Sequence, residues 1–525
     1  MMHGTHQATL IPLDPEDLPT DISTLAAHCP GMTLLGPNRE IQGLTADSRK
    51  VREGYLFAAL PGCQVDGNRF IPQALAQGAV AVLHDGRGRL PLGTRCQTVA
   101  QLVHPEPRQA LALLAADYYG HPAKHLKLMA VTGTNGKTSV AAMIEAILTE
   151  AGERVGVMGT TGVRYPGYVG RSPLTTPEPV FLQARLQEMA ENQCTTAVLE
   201  VSSHALTQHR IAGMPIHTAI YTNLSRDHLD YHRDEGDYFQ AKARLFTDFA
   251  PEVAIINLDD ARGVALVEKC LPGTRVVGYS AEGRRAGNST PVFAARGMKL
   301  SWQGVRFDLD TPGGGVPVTM GTVGRFNVAN ALAAAAACWE RGVSAEVIAR
   351  GLARFQPVRG RMETIAQGQP FGVVVDYAHT PEALERLLAT TREVIGEGRI
   401  YPVFGCGGER DVGKRALMGG IAARFGEVAF ITDDNPRSED PAAIREAILI
   451  GCAKAGGNAR EVADRESAIG MALSQASAGD AVVIAGKGHE TVQITASGAH
   501  PFDDVAVACE HLQKLGFTLK PEGQR

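Results

Sequence analysis

Short apolar runs recur along this chain, each closing in a turn or a glycine- or charge-rich break, with longer helix-like stretches between them. Residues 54–60 and 79–83 read as strands, and residues 70–77 between them read as a helix. Residues 108–119 predict a second helix, which Gly120-His121-Pro122 breaks. Residues 126–130 predict a strand and residues 140–148 an alanine-rich helix, separated by a glycine-containing turn. Further strands are predicted at 197–201, 219–222 and 253–257. The pattern restarts after Gln356-Pro357-Val358-Arg359-Gly360-Arg361, with apolar runs at 372–375, 399–404, 428–432 and 481–485. Strands alternating with helices predict an α/β protein with mostly parallel, doubly wound sheets. In such sheets ligands sit beyond the carboxyl ends of the strands.

At 525 residues the chain is too long for one compact core, and it divides into units at 1–103, 104–355 and 356–525. No internal repeat, coiled coil or low-complexity tail is visible. A formal charge of -5 with no dominant basic face argues against a nucleic-acid partner. Nine cysteines, scattered singly with no Cys-x-x-Cys pair, suit reduced thiols in a cytosol. The stretch Met1 to Pro19 carries three acids and no basic-then-apolar signal pattern. The most continuous apolar tract, 331–339, is too short to span a bilayer. A cytoplasmic protein without membrane insertion is expected, as a monomer.

The turn before the alanine-rich helix reads Val131-Thr132-Gly133-Thr134-Asn135-Gly136-Lys137-Thr138-Ser139. A glycine-rich turn between strand and helix directs backbone N–H groups and a helix N-terminus at a phosphate. Gly133 and Gly136 let the backbone approach the anion, Lys137 reaches the terminal phosphates, and the Thr138 hydroxyl can coordinate magnesium. A generic loop of this type has a further glycine where this chain has Val131, so this is a shorter variant. Glu200 sits inside an apolar strand, where an unpaired carboxylate is costly. A magnesium ligand and a structural salt bridge both answer that cost. His228 lies in a charged cluster just past the next strand. Lys242, by pattern alone, is a surface lysine on an amphipathic helix.

The loop Thr132 to Ser139 resembles that of the Mur ligase family, the ATP-dependent amide-forming enzymes that build the peptide of the bacterial cell wall. The likeness runs over nearly the whole chain. It implies three α/β domains. The first is a UDP-sugar-binding unit, the second a central ATP-binding unit with a mostly parallel sheet, and the third a Rossmann-like unit that binds the amino acid. It implies ATP at Gly133, Thr134, Asn135, Gly136, Lys137, Thr138 and Ser139, with Asn327, Asn330, Arg361, Asp376 and His379 completing the site. Mg2+ is expected on Thr138, Glu200, His228 and Lys242, the lysine carrying a carbamate (N6-carboxylysine); Lys137, Glu200, His228 and Lys242 form the implied catalytic set. Ser48, within Asp47-Ser48-Arg49, and Thr175, Thr176, Ser202, Gln208 and Arg210 match positions for the nucleotide-sugar peptide.

The third unit carries Asp434-Asn435-Pro436-Arg437, which resembles the signature of the family's diaminopimelate-adding branch, together with Arg410, Gly486 and Glu490. The chemistry agrees with that likeness. Arg410 and Arg437 can fork onto the distal carboxylate of diaminopimelate, and Asp434 and Glu490 can accept from its ammonium. The expected reaction joins meso-diaminopimelate to UDP-N-acetylmuramoyl-L-alanyl-D-glutamate through an acyl phosphate. The alternatives are the same ligase using L-lysine, a folylpolyglutamate synthase, or a binding protein that uses the phosphate loop as a switch.

Overall fold

The computed structural model describes residues 21–62, 65–87, 98–228, 231–285, 290–357 and 359–518. The leader reading at 1–19, Val358 of the junction above, and Leu229 and Asp230 of the charged cluster that holds His228 lie outside the described residues.

Three main sheets follow one another along the chain. The first has five strands in the order Thr33–Leu35, Ala100–Val103, Ala81–His84, Tyr55–Ala58, Gly43–Thr45, parallel except for the first pair. Helix Pro107–Tyr118 lays Ala110, Leu111 and Leu114 on this sheet beside Leu25 of helix Ile22–His28. The helix expected over 70–77 is a 3-10 turn, Gly67–Phe70, running into a short α-helix, Ile71–Ala76.

The central sheet has eleven strands. Its parallel body runs Val292–Ser301, Arg275–Ser280, Val253–Asn257, Thr218–Tyr221, Lys127–Thr132, Thr196–Glu200, Val155–Gly159. Antiparallel strands extend both edges, Gly304–Thr311 and Gly314–Met320 at one, Gly162–Tyr165 and Tyr168–Gly170 at the other. Helices Lys137–Glu150 and Arg325–Glu340 cover one face through Val140, Ile144, Ile147, Val328 and Leu332. The buried alanines 333–337 make the apolar tract a core helix, their small side chains allowing close approach to its neighbours. Helices Pro179–Glu191 and Glu235–Thr247 cover the other face through Leu182, Leu186, Phe239 and Phe246.

The third sheet runs Glu363–Thr364, Gly372–Asp376, Ala481–Ala485, Ile400–Phe404, Ala429–Ile431, Ala459–Glu461, parallel after an antiparallel first pair. A hairpin, Val492–Thr495 with Gly498–Pro501, stands apart from it. Trp302, at the turn between two strands of the central sheet, rests on Gly372 of the third, where a Cβ would lie 2.1 Å from the indole. No helix among the described residues is long and apolar enough to cross a membrane.

One wholly buried ion pair closes the third unit. Arg465 Nε donates to Asp504 Oδ1 at 2.7 Å and Nη2 to Oδ2 at 2.8 Å, and Nη2 also reaches the Ala485 carbonyl at 3.0 Å. Both side chains are 0% exposed. Removing one partner strands the other charge in the core, which costs about 3–5 kcal/mol. Asp504→Ala is therefore expected to lower the unfolding free energy by about that amount, read from urea denaturation. A midpoint equal to that of the parent protein would show that solvent reaches Arg465.

Candidate active site

Register brings the site together. Strand Lys127–Thr132 lies between Thr196–Glu200 and Thr218–Tyr221, with Val131 opposite Glu200 and Thr132 opposite Tyr221. Chain order reverses here, so a crevice opens beyond the strand ends. Three loops meet in it, starting at Gly133, Val201 and Thr222.

The loop backbone is shaped by its glycines. Gly133 has φ 148° and Gly136 has φ 88°, values that side-chain-bearing residues avoid. A Cβ on Gly133 would lie 1.9 Å from Thr222 Oγ1, and one on Gly136 2.4 Å from Asn330 Oδ1. Thr134 N–H donates to the Asn223 carbonyl at 2.8 Å, Asn135 N–H to Asn223 Oδ1 at 3.0 Å, and Thr222 Oγ1 to the Asn135 carbonyl at 2.6 Å. Gly136 caps helix Lys137–Glu150 with no side-chain acceptor, which leaves the first-turn amides, Ser139 among them, available to an anion. Lys137 Nζ folds back onto the carbonyls of Gly133 at 2.8 Å and Thr134 at 2.9 Å.

Glu200 is 1% exposed and forms no close ion pair among the described residues, although its charge is felt at Lys137. Its carboxylate accepts from Thr138 Oγ1 at 2.8 Å, Thr160 N–H at 2.9 Å and Thr160 Oγ1 at 3.1 Å. The salt-bridge alternative therefore fails. A buried carboxylate held only by neutral donors beside a phosphate cradle is a donor set that suits a hard divalent cation. Gly159 makes room for it, since a Cβ there would lie 2.0 Å from Glu200 Oε1.

Lys242 corrects the surface-lysine reading from pattern. It is 1% exposed on helix Glu235–Thr247, with Nζ 2.9 Å from the Gly133 carbonyl and 4.3 Å from the Tyr238 ring centroid. Lys137 and Lys242 thus donate to the same oxygen. Burial, then the neighbouring Lys137 charge, holds the Lys242 amine well below the usual lysine range. Burial also lowers Lys137, with Arg361 adding to the effect while Glu200 and Asp227 oppose it. Among the described residues no hydrogen bond or ion pair joins His228 to Glu200 or Thr138. It is exposed at φ 54°, 3.6 Å from Asp227 Oδ2, with its ring against His204 and Tyr238. Among the described residues no group of three His, Cys, Asp or Glu side chains is placed to hold a metal ion.

Around this centre the other candidates fall into three groups. Asn330 touches Gly136 and donates to Asn327 Oδ1 at 3.3 Å, and Asn327 donates to the Val323 carbonyl at 2.8 Å. Arg361 lies over Tyr377 at 4.9 Å, while Asp376 accepts from Met362 N–H at 2.7 Å and burial pushes its carboxyl up. His379 is exposed, with Nδ1 2.9 Å from the Tyr377 carbonyl.

A second group forms a chain leading to Glu200. Thr176 Oγ1 donates to the Glu200 carbonyl at 2.8 Å and accepts from Ser202 N–H at 3.0 Å. Arg210 reaches the Thr176 carbonyl and Gln208 Oε1, each at 2.7 Å, and the Thr175 and Thr160 hydroxyls are 3.1 Å apart. Ser48 is not joined to them; it donates to Gln73 Oε1 at 3.2 Å on the first sheet.

The third group surrounds the ends of strands Ile400–Phe404, Ala429–Ile431 and Ala481–Ala485. Arg437, at φ 54°, donates to the Gly408 carbonyl at 2.7 Å; Arg410 is exposed and its nearest acceptor is the Glu409 carbonyl at 3.5 Å. Asp434 is buried against Gly486, where a Cβ would lie 2.4 Å from Oδ2. Asn435 Nδ2 donates to Glu490 Oε2 at 2.7 Å. Sequence reasoning passed over Thr160, which follows the short run Val155–Gly159, and Thr222 with Asn223, which follow a run that was recognised.

A glycine-rich phosphate cradle at the switch point of a parallel sheet defines a nucleotide-binding α/β protein. Sequence models of the Mur ligase middle domain, the Mur ligase glutamate ligase domain and the Mur ligase family catalytic domain match residues 131–338, 360–488 and 40–119. The chain belongs to the Mur ligase family. It is 41% identical to a UDP-N-acetylmuramoyl-L-alanyl-D-glutamate--2,6-diaminopimelate ligase of Geobacillus kaustophilus, over 94% of this chain and 99% of the relative. A protein of the same name from Chromobacterium violaceum is 42% identical over 91% of this chain and 95% of its own. A solved structure of a ligase of that name superposes with a TM-score of 0.66 at 35% identity, covering 91% of this chain and 96% of that one.

The contact between Gly159 and Glu200 can be tested directly. The backbone of Gly159 suits any residue, so Gly159→Ala acts only by displacing the carboxylate from its donors. Losing charged hydrogen bonds in a buried place costs about 1.5–3 kcal/mol. A loss of that size in unfolding free energy is expected, and an unchanged value would mean that Glu200 has room to move.

Proposed function

We propose that this protein is an ATP-dependent ligase that adds meso-diaminopimelate to UDP-N-acetylmuramoyl-L-alanyl-D-glutamate. The observation that carries the reading is the phosphate cradle beside the buried Glu200 carboxylate held by Thr138 and Thr160, in a chain 41% identical to a ligase of that name. In this reading residues 1–103 hold the UDP-sugar, 104–355 hold ATP, and 356–525 hold the amino acid. A monomer in the cytoplasm is the proposed working form.

The D-glutamyl γ-carboxylate attacks the γ-phosphorus of ATP, giving an acyl phosphate and ADP. The diaminopimelate amine then adds to the acyl carbon, loses its proton, and phosphate departs. The first step forces two anions together, so its barrier is mainly electrostatic. Lys137 and the amides of the first helical turn meet the phosphates. Thr138, Glu200, His228 and Lys242 are the proposed magnesium ligands, and the metal supplies charge neutralisation at the transferring phosphoryl group. Burial favours the uncharged form of the Lys242 amine, and it is this form that adds carbon dioxide and releases a proton, giving an anionic carbamate that can supply an oxygen ligand. Ser48, Thr175, Thr176, Ser202, Gln208 and Arg210 receive the nucleotide-sugar peptide. Asn327, Asn330, Arg361, Asp376 and His379 complete the ATP site across the two sheets. Closure of the third unit excludes water, which would hydrolyse the acyl phosphate.

Arg410 and Arg437 fork onto the distal carboxylate of diaminopimelate, with Asp434 and Glu490 accepting from its ammonium and Asn435 and Gly486 shaping the pocket. Lysine lacks that carboxylate and leaves an arginine unpaired, a penalty that can reach about ten-thousand-fold. ADP release measured with diaminopimelate and with lysine, each with and without the nucleotide substrate, tests the assignment. ADP formation that needs the nucleotide and prefers diaminopimelate supports it; equal use of both amino acids, or turnover without the nucleotide, overturns it.

Lys242→Ala is expected to lose on the order of a hundredfold or more in turnover and to recover part of it with added short-chain carboxylates. An active parent enzyme whose intact mass shows no carbamate, even at high bicarbonate, would dismiss the modification. Arg437→Ala is expected to raise the KM for diaminopimelate by roughly thirtyfold or more and to narrow the preference over lysine, with ATP constants little changed. Normal diaminopimelate kinetics in this variant would remove the physical basis of the substrate choice.

A further inference from the structure

Lys487 is a buried cation that the proposed chemistry leaves without a task. Its side chain is 0% exposed although it sits in a loop beyond a strand end. It lies between Gly486 at φ 114° and Gly488 at φ 54°, glycines packed against Asp434 and Tyr377. A protonated amine has three N–H bonds, and this one has three acceptors. Nζ lies 3.1 Å from Asn435 Oδ1, 3.1 Å from Glu490 Oε2 and 2.7 Å from the Val492 carbonyl. Every donor of the ammonium is therefore satisfied, which makes a buried lysine tolerable.

The acceptors come from three different segments. Asn435 belongs to the loop after strand Ala429–Ile431, Glu490 to the loop after strand Ala481–Ala485, and Val492 to the hairpin Val492–Pro501. Asn435 closes the ring: its Nδ2 donates to Glu490 Oε2 at 2.7 Å, and its Oδ1 also accepts from Ile494 N–H at 2.9 Å. With Oδ1 taking two donors, the amide cannot flip. Glu490 is half-buried, and among the described residues no donor engages its Oε1. One oxygen is thus fixed from below while the other is left for a ligand. The hairpin is tied to the same place, because Arg437 N–H donates to the Ile494 carbonyl at 3.0 Å.

We propose that Lys487 is a positioning residue that sets selectivity for the amino-acid substrate: its ammonium locks Asn435 and Glu490 in the geometry that receives the substrate ammonium. The inference rests on the ligase reading above. Lys487 touches no substrate itself. Without it, Glu490 Oε2 keeps only the Asn435 amide as a donor and Asn435 Oδ1 keeps only Ile494 N–H, so both groups are held more loosely, while the phosphate cradle on the central sheet keeps its own hydrogen bonds.

The test is steady-state kinetics of Lys487→Met, which preserves length and removes charge and donors. The expected result is a rise of about tenfold or more in the KM for diaminopimelate, with the constants for ATP and the nucleotide substrate within about twofold. Adding Glu490→Gln to Lys487→Met is expected to cost little more, because both break one unit. Multiplying effects, or a uniform fall in all constants, would overturn the proposal in favour of a general role in stability. Lys487→Gln, shorter but still a donor, is expected to give a smaller rise; if both Lys487 variants are recovered only unfolded, the residue is a folding element and the proposal fails. Parent enzyme that forms no ADP with diaminopimelate refutes the ligase reading instead, whereas active parent enzyme and unchanged Lys487→Met refute only the role of Lys487.

Discussion

The site depends on one strand register. Because Val131 pairs with Glu200 and Thr132 with Tyr221, the chain leaves three adjacent strands at nearly the same height. A one-residue slip would turn Glu200 to the opposite face of the sheet and empty the crevice of its carboxylate. The register is held by burial on both faces, since Met129, Val131, Val198 and Ile220 pack under helix Lys137–Glu150 while Leu128, Ala130, Leu199 and Ala219 pack on the other side. Core packing and site geometry are here the same constraint.

Within that frame the buried charges are arranged against their own ease. Two lysines donate to a single carbonyl, and a carboxylate close by is held by hydroxyls and an amide rather than by either of them. A structure optimised only for stability would pair them. Keeping them apart stores an arrangement that suits added anions and a cation, which is the pattern expected where local consistency yields to function.

Much of the fold was legible because parallel strands between covering helices read as uninterrupted apolar runs. The strands at 127–132, 253–257 and 481–485 lie where those runs predicted, within a residue or two. The edge strands were missed for a different reason. In Gly304–Thr311 the buried Val305, Phe307 and Leu309 alternate with Arg306, Asp308 and Asp310, a period-two strand signal that differs from the continuous apolar runs of the parallel strands and was passed over with them in view. The phosphate loop was legible from glycine spacing, whereas the burial of Lys242 was not, because Glu235–Thr247 carries acids and bases at its ends that mimic a solvated helix. The neighbour that matters to Lys242, the Gly133 carbonyl, is more than a hundred residues away in sequence.

The two proposed halves of the reaction are built with different degrees of preparation. The phosphate cradle has its backbone fixed by Thr222, Asn223 and the glycines, yet His228 remains exposed and Lys137 is bound to its own loop. The amino-acid end divides in the same way. Arg437 is anchored by its own backbone to the hairpin and by its guanidinium to Gly408, whereas Arg410 is exposed and among the described residues its hydrogen bond is a long one, 3.5 Å, to the neighbouring Glu409 carbonyl. An anchored arginine supplies discrimination, because its charge is already in place and a substrate lacking the carboxylate leaves it unpaired. A free arginine supplies little until a ligand recruits it, and recruitment costs side-chain entropy. Selectivity in the proposed reaction therefore belongs to the Arg437 loop and the groups that hold it, and Arg410 adds binding energy only after the distal carboxylate has arrived.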